Sequence, residues 1–203
     1  MTSIKKRKKP RGVSVSLRSG PLGVERIVKE LPVTKSEIEL KVAEDFCAGN
    51  HGMRPHIKRF GRFTDLEPQP ENSIDFRVST DRGTKWLELA EFAPLHLYEG
   101  KYENVSGHWD GADMAQLFLE LVQQKNSRGY GNGVILLVYQ THDRFFVPPP
   151  IVRTMPVLLK DAGLAFEAVY AVSPSGLVVE AWPGDVDDQG PRGFGKVIVG
   201  PFS

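Results

Sequence analysis

The chain has 203 residues, of which 40% are hydrophobic and 25% are charged, and both values are ordinary for a globular domain. This length allows one domain with extensions and a substantial buried core. No apolar run approaches the roughly 20 residues that a membrane span requires, and the basic N-terminus lacks the apolar stretch of a signal peptide. Because Cys47 is the single cysteine, an internal disulfide and a thiolate metal cluster are excluded, and we expect a reducing, cytoplasmic setting.

Basic charge is concentrated at the N-terminus. Six of the first 12 residues are lysine or arginine, which leaves 20 basic and 25 acidic residues in the rest of the chain, a net charge of about −5 with histidine neutral. Three interpretations stay open for this segment. It is a disordered, solvated tail over residues 1–20, an arm that contacts phosphates without sequence preference, or a nuclear-localisation patch.

Two helices are predicted in the first third of the chain. A short helix is expected over 22–31. Thr34 precedes Glu37 by three residues, which is the spacing of a capping box, and therefore predicts a helix over 36–48. The next segment is basic and aromatic, and 56–63 is the candidate for a strand within it.

A β-hairpin follows. Apolar and polar residues alternate over 73–80, as expected for a half-buried strand, 81–84 is typical of a turn, and 85–92 is the returning strand. This hairpin places Asp75 and Glu88 on two paired strands.

The second half of the chain alternates helices and strands. Helical periodicity covers 111–126, and the continuous apolar run 133–140 predicts a central strand that is covered on both faces. A helix is expected at about 151–162, followed by strands over 165–172 and 177–182.

Together these elements predict an α/β domain with a central mixed sheet flanked by helices. The expected boundaries are a tail over 1–20, a single domain over 21–183 and a glycine- and proline-rich extension over 184–203. The hairpin over 165–182 either extends the sheet or forms a homodimer contact, and both interpretations stay open.

Asp75 and Glu88 are the first candidates for chemistry. Two carboxylates brought together among apolar residues lose solvation and repel, at a cost of several kcal/mol per unpaired ion. A cation removes this cost, and Mg²⁺ commonly binds one or two carboxylates together with waters and phosphate oxygens. On helical wheels, Glu39 and Lys125 each fall within the apolar face of their helix, so both are expected to point toward the sheet.

A basic and aromatic segment lies just before this hairpin. Basic side chains near aromatic rings suit a nucleic-acid backbone, although a solvated loop held by two phenylalanines explains the pattern equally well. The candidate nucleic-acid contacts are Arg54, His56, Lys58, Arg59 and Arg62.

A helical glutamate, an aspartate on a strand and a glutamate on the next strand resemble the PD-(D/E)xK, or restriction-endonuclease-like, nuclease superfamily. The resemblance covers roughly residues 36–140. It implies that Asp75 and Glu88 bind Mg²⁺ or Mn²⁺ and that Glu39 joins them. The family's water-activating lysine belongs at position 90, where this chain has alanine, and Lys125 is the residue that could replace it from a neighbouring helix.

The resemblance implies an Mg²⁺-dependent endonuclease that hydrolyses phosphodiester bonds in DNA, with Lys125 and Glu39 as catalytic residues. Because Ala90 replaces the expected lysine, a catalytically inactive, nuclease-like binding or assembly module is the alternative. An acid pair on a hairpin that is neutralised by nearby basic side chains is the purely structural interpretation of the same residues.

Overall fold

The structure is a computed structural model that describes residues 13–20, 23–49, 54–101, 104, 110–141, 145, 147–173 and 177–184, with side chains described from residue 31 onward. Its strands are β1 (Val13–Gly20), β2 (Gly23–Glu30), β3 (Phe63–Pro68), β4 (Phe76–Thr80), β5 (Gly83–Glu91), β6 (Val134–Tyr139), β7 (Ala168–Val172) and β8 (Val178–Trp182). Its helices are α1 (Lys35–Ala48), α2 (Pro55–Phe60), α3 (Gly111–Asn126), α4 (Pro149–Val152) and α5 (Met155–Leu159), together with a 3₁₀ turn at Leu95–Tyr98.

Strands β3 to β8 form one six-stranded mixed sheet in sequence order. The three central strands, β5, β6 and β7, are parallel, and β4 and β8 flank them antiparallel, with β3 antiparallel to β4 at one edge. Each parallel connection contains helices, α3 between β5 and β6 and α4 with α5 between β6 and β7, as a parallel crossover requires. The predicted α/β class with a mixed sheet is confirmed, and the last hairpin extends this sheet. The predicted homodimer stays a prediction.

Helices cover both faces of the sheet. Helices α1 and α2 pack on one face, where Phe46 and Phe60 join the apolar side chains of the strands. Helices α3, α4 and α5 cover the other face through Phe118 and Val122 among others. All six residues of β6 are buried, because this strand lies in the centre of the sheet and is covered twice. In the described part of the chain, no helix is long and apolar enough to cross a bilayer.

The helix predicted from the capping box is confirmed. The Thr34 side chain accepts the backbone N–H of Glu37, and the Glu37 carboxylate accepts the backbone N–H of Thr34, which satisfies two donors at the start of α1. Gly49 ends this helix with a left-handed backbone at φ 58°, which costs glycine little. The helix predicted over 111–126 is α3.

Two predictions near the N-terminus are wrong. The segment 22–31 is not a helix but contains strand β2, which pairs along its whole length with β1. Val24, Ile27 and Val28 have helical spacing, but eight backbone pairs to a neighbouring strand outweigh that short pattern. Residues 13–20, expected to belong to a disordered tail, form the partner strand, whereas residues 1–12 lie outside the described residues.

Two further elements differ from prediction, and a third cannot be compared. The strand expected at 56–63 is helix α2, because Pro55 suits the first turn of a helix, and β3 begins only at Phe63. The single helix expected at 151–162 is two short helices, since Pro156 lacks the N–H that a continuous helix would need. The C-terminal extension from residue 185 onward lies outside the described residues.

Candidate functional site

Asp75 lies one residue before β4, where this strand stops covering its neighbour β5. Within the pair, Phe76 is opposite Leu87, so the same register places Asp75 opposite Glu88. We expected Asp75 inside a strand, and the structure places it directly in front of one. The two predicted acids are therefore neighbours across the hairpin.

Strand β4 pairs with β5 only as far as Leu87, and beyond this point charged side chains bind the backbone groups of β5. The backbone N–H of Leu89 donates to Oδ2 of Asp75 at 2.7 Å, and the backbone carbonyl of Leu89 accepts the ammonium of Lys125 at 3.1 Å. Buried backbone groups need partners, so Asp75 and Lys125 together replace the missing strand at this residue. Both side chains thus have a structural role at the same place as their proposed chemistry.

Lys125 reaches Glu88 from the end of α3. Its Nζ donates to Oε1 of Glu88 at 2.6 Å, and the Glu88 side chain is 5% exposed. A lysine in the last helical turn also favours the helix dipole. The helical-wheel prediction that Lys125 points toward the sheet is therefore confirmed, and it brings an ammonium group to the second acid. Its part in a reaction stays a prediction.

Burial and charge act together on Asp75. The pKa of this half-buried carboxyl is raised to about 6, chiefly by loss of solvation, and the negative charges of Glu88 and Glu39 act in the same direction. The hydrogen bond from Leu89 and the charge of Lys125 act in the opposite direction but do not cancel the rise. The protein therefore compensates the charge of an ionised Asp75 less well than water does.

Glu39 is buried on α1, as predicted, but it packs on the other face of the sheet. Its carboxylate accepts the hydroxyl of Tyr139 at 3.2 Å and lies 3.2 Å from the ammonium of Lys35. Among the described residues there is no group of three acidic, histidine or cysteine side chains that could hold one metal ion. Glu39 is nevertheless near enough to Asp75 for its charge to raise the pKa of that carboxyl, and joint binding of a metal ion by Asp75, Glu88 and Glu39 stays a prediction.

The predicted nucleic-acid contacts divide into two groups. His56 is 1% exposed, stacks on Phe46 and hydrogen-bonds the Phe46 carbonyl oxygen at 2.8 Å, so it belongs to the core. Arg59 makes two hydrogen bonds to Glu180 of β8, at 2.8 and 3.2 Å, and its side chain is 14% exposed. These two predicted contacts are wrong for this structure, because each side chain is buried against the domain itself.

Arg54, Lys58 and Arg62 are exposed and stay predictions. Arg62 lies at the turn of the β4–β5 hairpin, where its backbone N–H donates to Oδ2 of Asp81 at 2.9 Å. Asp75 is five residues back along the chain from Thr80, or about 16 Å at roughly 3.3 Å per residue. Arg62 is thus well separated from the acid pair.

Two residues of the site were missed by the sequence interpretation. Tyr130 donates its hydroxyl to Oε1 of Glu88 at 2.8 Å, and Nη1 of Arg128 lies 3.9 Å from the same oxygen. Both belong to the glycine-rich segment 127–133, in which the sequence interpretation placed no candidate residue. The available signal was their position between the helix that carries Lys125 and the central strand β6.

Comparison with protein-family models, curated proteins and solved structures finds no match to this chain. The chain thus forms a mixed α/β domain whose acid pair and neighbouring cations are its best-defined candidate site.

Proposed function

We propose that the chain is an Mg²⁺- or Mn²⁺-dependent phosphodiesterase that cleaves DNA and has a restriction-endonuclease-like fold. The observation that carries this proposal is the contact between Lys125 and Glu88 at 2.6 Å, beside Asp75. An acid pair with an ammonium group beside it contains the charges that metal-dependent phosphodiester hydrolysis uses. The lysine comes from α3, which compensates for alanine at position 90.

The acid pair suits a hard dication. Asp75 and Glu88 supply two carboxylates, and Mg²⁺ commonly takes one or two of these and fills its other positions with water and phosphate oxygens. The raised pKa of Asp75 supports this assignment, because a dication would offset the desolvation and repulsion that now disfavour the ionised carboxylate. Such a metal lowers the pKa of a bound water and stabilises charge that develops on the phosphate.

We assign Lys125 to charge stabilisation and to positioning of Glu88. As an ammonium group it carries three donors and no acceptor, so in the observed contacts it donates and does not take up a proton. Its bond to the Leu89 carbonyl fixes the side chain from a second direction. A positive group held there favours the extra negative charge of a phosphodiester transition state.

The direct test is cleavage of plasmid and single-stranded DNA with Mg²⁺ or Mn²⁺. Asp75→Asn keeps an oxygen that accepts the Leu89 N–H but removes the charge, and Glu88→Gln makes the corresponding change at the second acid. We expect each to lower the cleavage rate by about 100-fold or more, since a metal ligand is lost. Glu120→Gln, on the exposed side of α3, is the matched control and should cleave like the wild type. Equal cleavage by all four proteins would disprove the assignment.

One observation favours a second candidate, a nuclease-like binding module without catalysis. A single oxygen of Glu88 already has Lys125, Tyr130 and Arg128 around it, so this carboxylate is largely neutralised by the protein itself. A binding module of this kind predicts that Mn²⁺ does not raise the melting temperature, because no ion would bind the folded state selectively. A Mn²⁺-dependent rise that Asp75→Asn abolishes would exclude this candidate.

A further inference from the structure

The segment between α3 and β6 carries two side chains to the acid pair. It runs over residues 127–133. Gly129 and Gly133 have φ values of 69° and 78°, which residues other than glycine rarely adopt. These two glycines allow the chain to turn sharply from the end of the helix into the central strand. Arg128 and Tyr130 lie within this turn and beside Glu88.

Tyr130 holds the centre of this arrangement. Its hydroxyl donates to Oε1 of Glu88, the same oxygen that Nη1 of Arg128 approaches to 3.9 Å. The side chains of Tyr130 and Arg128 therefore meet at one oxygen of Glu88.

The two cations near Glu88 differ in how exposed they are and in how closely they approach its carboxylate. Lys125 is 16% exposed and donates directly to the carboxylate, so it neutralises Glu88. The Arg128 side chain is 60% exposed, and its guanidinium lies 3.9 Å from the same oxygen, beyond hydrogen-bond distance. A guanidinium has five donors in a fixed fork that matches phosphate, so most of the binding capacity of Arg128 faces outward.

We propose that Arg128 binds a backbone phosphate of the DNA strand beside the acid pair and that Tyr130 positions it there. The inference rests on the proposed function, since it assigns the substrate contact of the same site. Two carboxylates repel an incoming phosphate, and a fixed cation next to them offsets that repulsion. Arg128 is adjacent to Glu88, whereas Arg62, an exposed basic residue next to α2, lies at the other end of the hairpin.

The test is DNA binding without cleavage. Fluorescein-labelled 30-nucleotide DNA, single-stranded and duplex, is titrated in EDTA and followed by fluorescence anisotropy over a series of NaCl concentrations. Arg128→Ala should raise Kd about tenfold and reduce the slope of log K against log salt by about one, because one phosphate contact is lost. Arg128→Lys should lie between it and the wild type, since the charge is retained without the fork.

Arg82→Ala is the matched control. Arg82 is an exposed arginine in the hairpin turn, six residues before Glu88 along the chain, or about 20 Å away. It should bind DNA like the wild type. Because Arg128 is exposed, its variants should also keep the wild-type melting temperature, which separates lost binding from lost folding.

The possible outcomes separate this inference from the proposed function. Unchanged Kd and salt slope in Arg128→Ala overturn the inference, even if the wild type cleaves DNA and Asp75→Asn does not. The same holds if Arg82→Ala weakens binding as much as Arg128→Ala, or if the wild type does not bind DNA. Binding that depends on Arg128 without cleavage in Mg²⁺ or Mn²⁺ supports the phosphate contact and rejects the phosphodiesterase.

Discussion

Replacing Asp75 with asparagine should change how the stability of the domain depends on pH. The pKa of this carboxyl rises from 3.8 to about 6 on folding, mainly because the group loses solvation. The folded protein therefore holds this proton more tightly than the unfolded chain. The stabilising contribution is complete below pH 3.8 and is lost as the pH rises through about 6.

The size of the effect follows from the shift. About two pKa units correspond to roughly 3 kcal/mol at 1.36 kcal/mol per unit. Because Asp75 is half-buried, solvent screening reduces this value, and we expect about 1–2 kcal/mol. The asparagine side chain of the variant would carry no charge at any pH and would still accept the N–H of Leu89. Asp75→Asn should therefore match the wild type near pH 4 and be more stable by about 1–2 kcal/mol at pH 7.5.

The assay is urea unfolding of both proteins at pH 4, 5, 6 and 7.5, followed by tryptophan fluorescence, with m-values compared at each pH. Subtracting the two free energies of unfolding at each pH removes the contributions of the other titrating groups, which both proteins share. The variant Glu120→Gln shows whether neutralising any acidic side chain has the same effect. A variant that becomes less stable than the wild type as the pH rises would refute the reasoning. In that case Lys125 would favour the ionised carboxylate by more than burial opposes it.

Three further substitutions test contacts that hold the site and its surroundings, each by urea unfolding at pH 7. Lys125→Met should destabilise the domain by about 3 kcal/mol, because Glu88 loses its closest positive partner, and adding Glu88→Gln should recover part of this loss. Arg59→Met should cost a similar amount, since Glu180 is buried and paired with it; recovery by Glu180→Gln would support that reason. Gly61→Ala should cost at least about 1–3 kcal/mol, because φ 78° and ψ −151° suit glycine and an added methyl group would meet a neighbouring carboxylate; an unchanged stability would contradict this.

The parts of the fold that the sequence predicts well are those fixed by neighbours along the chain. The capping box at Thr34 and the apolar period of α3 are local, and both helices are found where they were expected. The orientation of Lys125 toward the sheet could be predicted for the same reason, since a helical wheel uses only residues of one helix. The helix predicted over 22–31 was wrong because the structure of this segment depends on a partner strand, which its own hydrophobic period does not reveal.

The basic segment before the hairpin shows where local patterns are insufficient. His56 and Arg59 look like surface cations, but α2 turns both inward, and the partner of Arg59 lies 121 residues later in the chain. Arg128 and Tyr130 were missed for the opposite reason. They look like parts of a loop, and they become part of a site only because β5 runs beside the strand that follows them.

Position 90 shows how packing decides where a charged group can lie. Ala90 shares the face of Glu88 but is 3% exposed and packs in the cluster of Phe118 and Val122. A lysine at this position would have to force its side chain into a filled core, and overpacking typically costs about 1–3 kcal/mol. The ammonium group therefore comes from α3, whose last turn lies over the uncovered edge of β5. Ala90→Lys should accordingly lower stability without replacing Lys125: the double variant Ala90→Lys with Lys125→Met should remain as inactive in DNA cleavage as Lys125→Met alone. Recovery of cleavage in that double variant would show that position 90 can still supply the cation, and that packing of α3 against the sheet does not decide where the lysine must be.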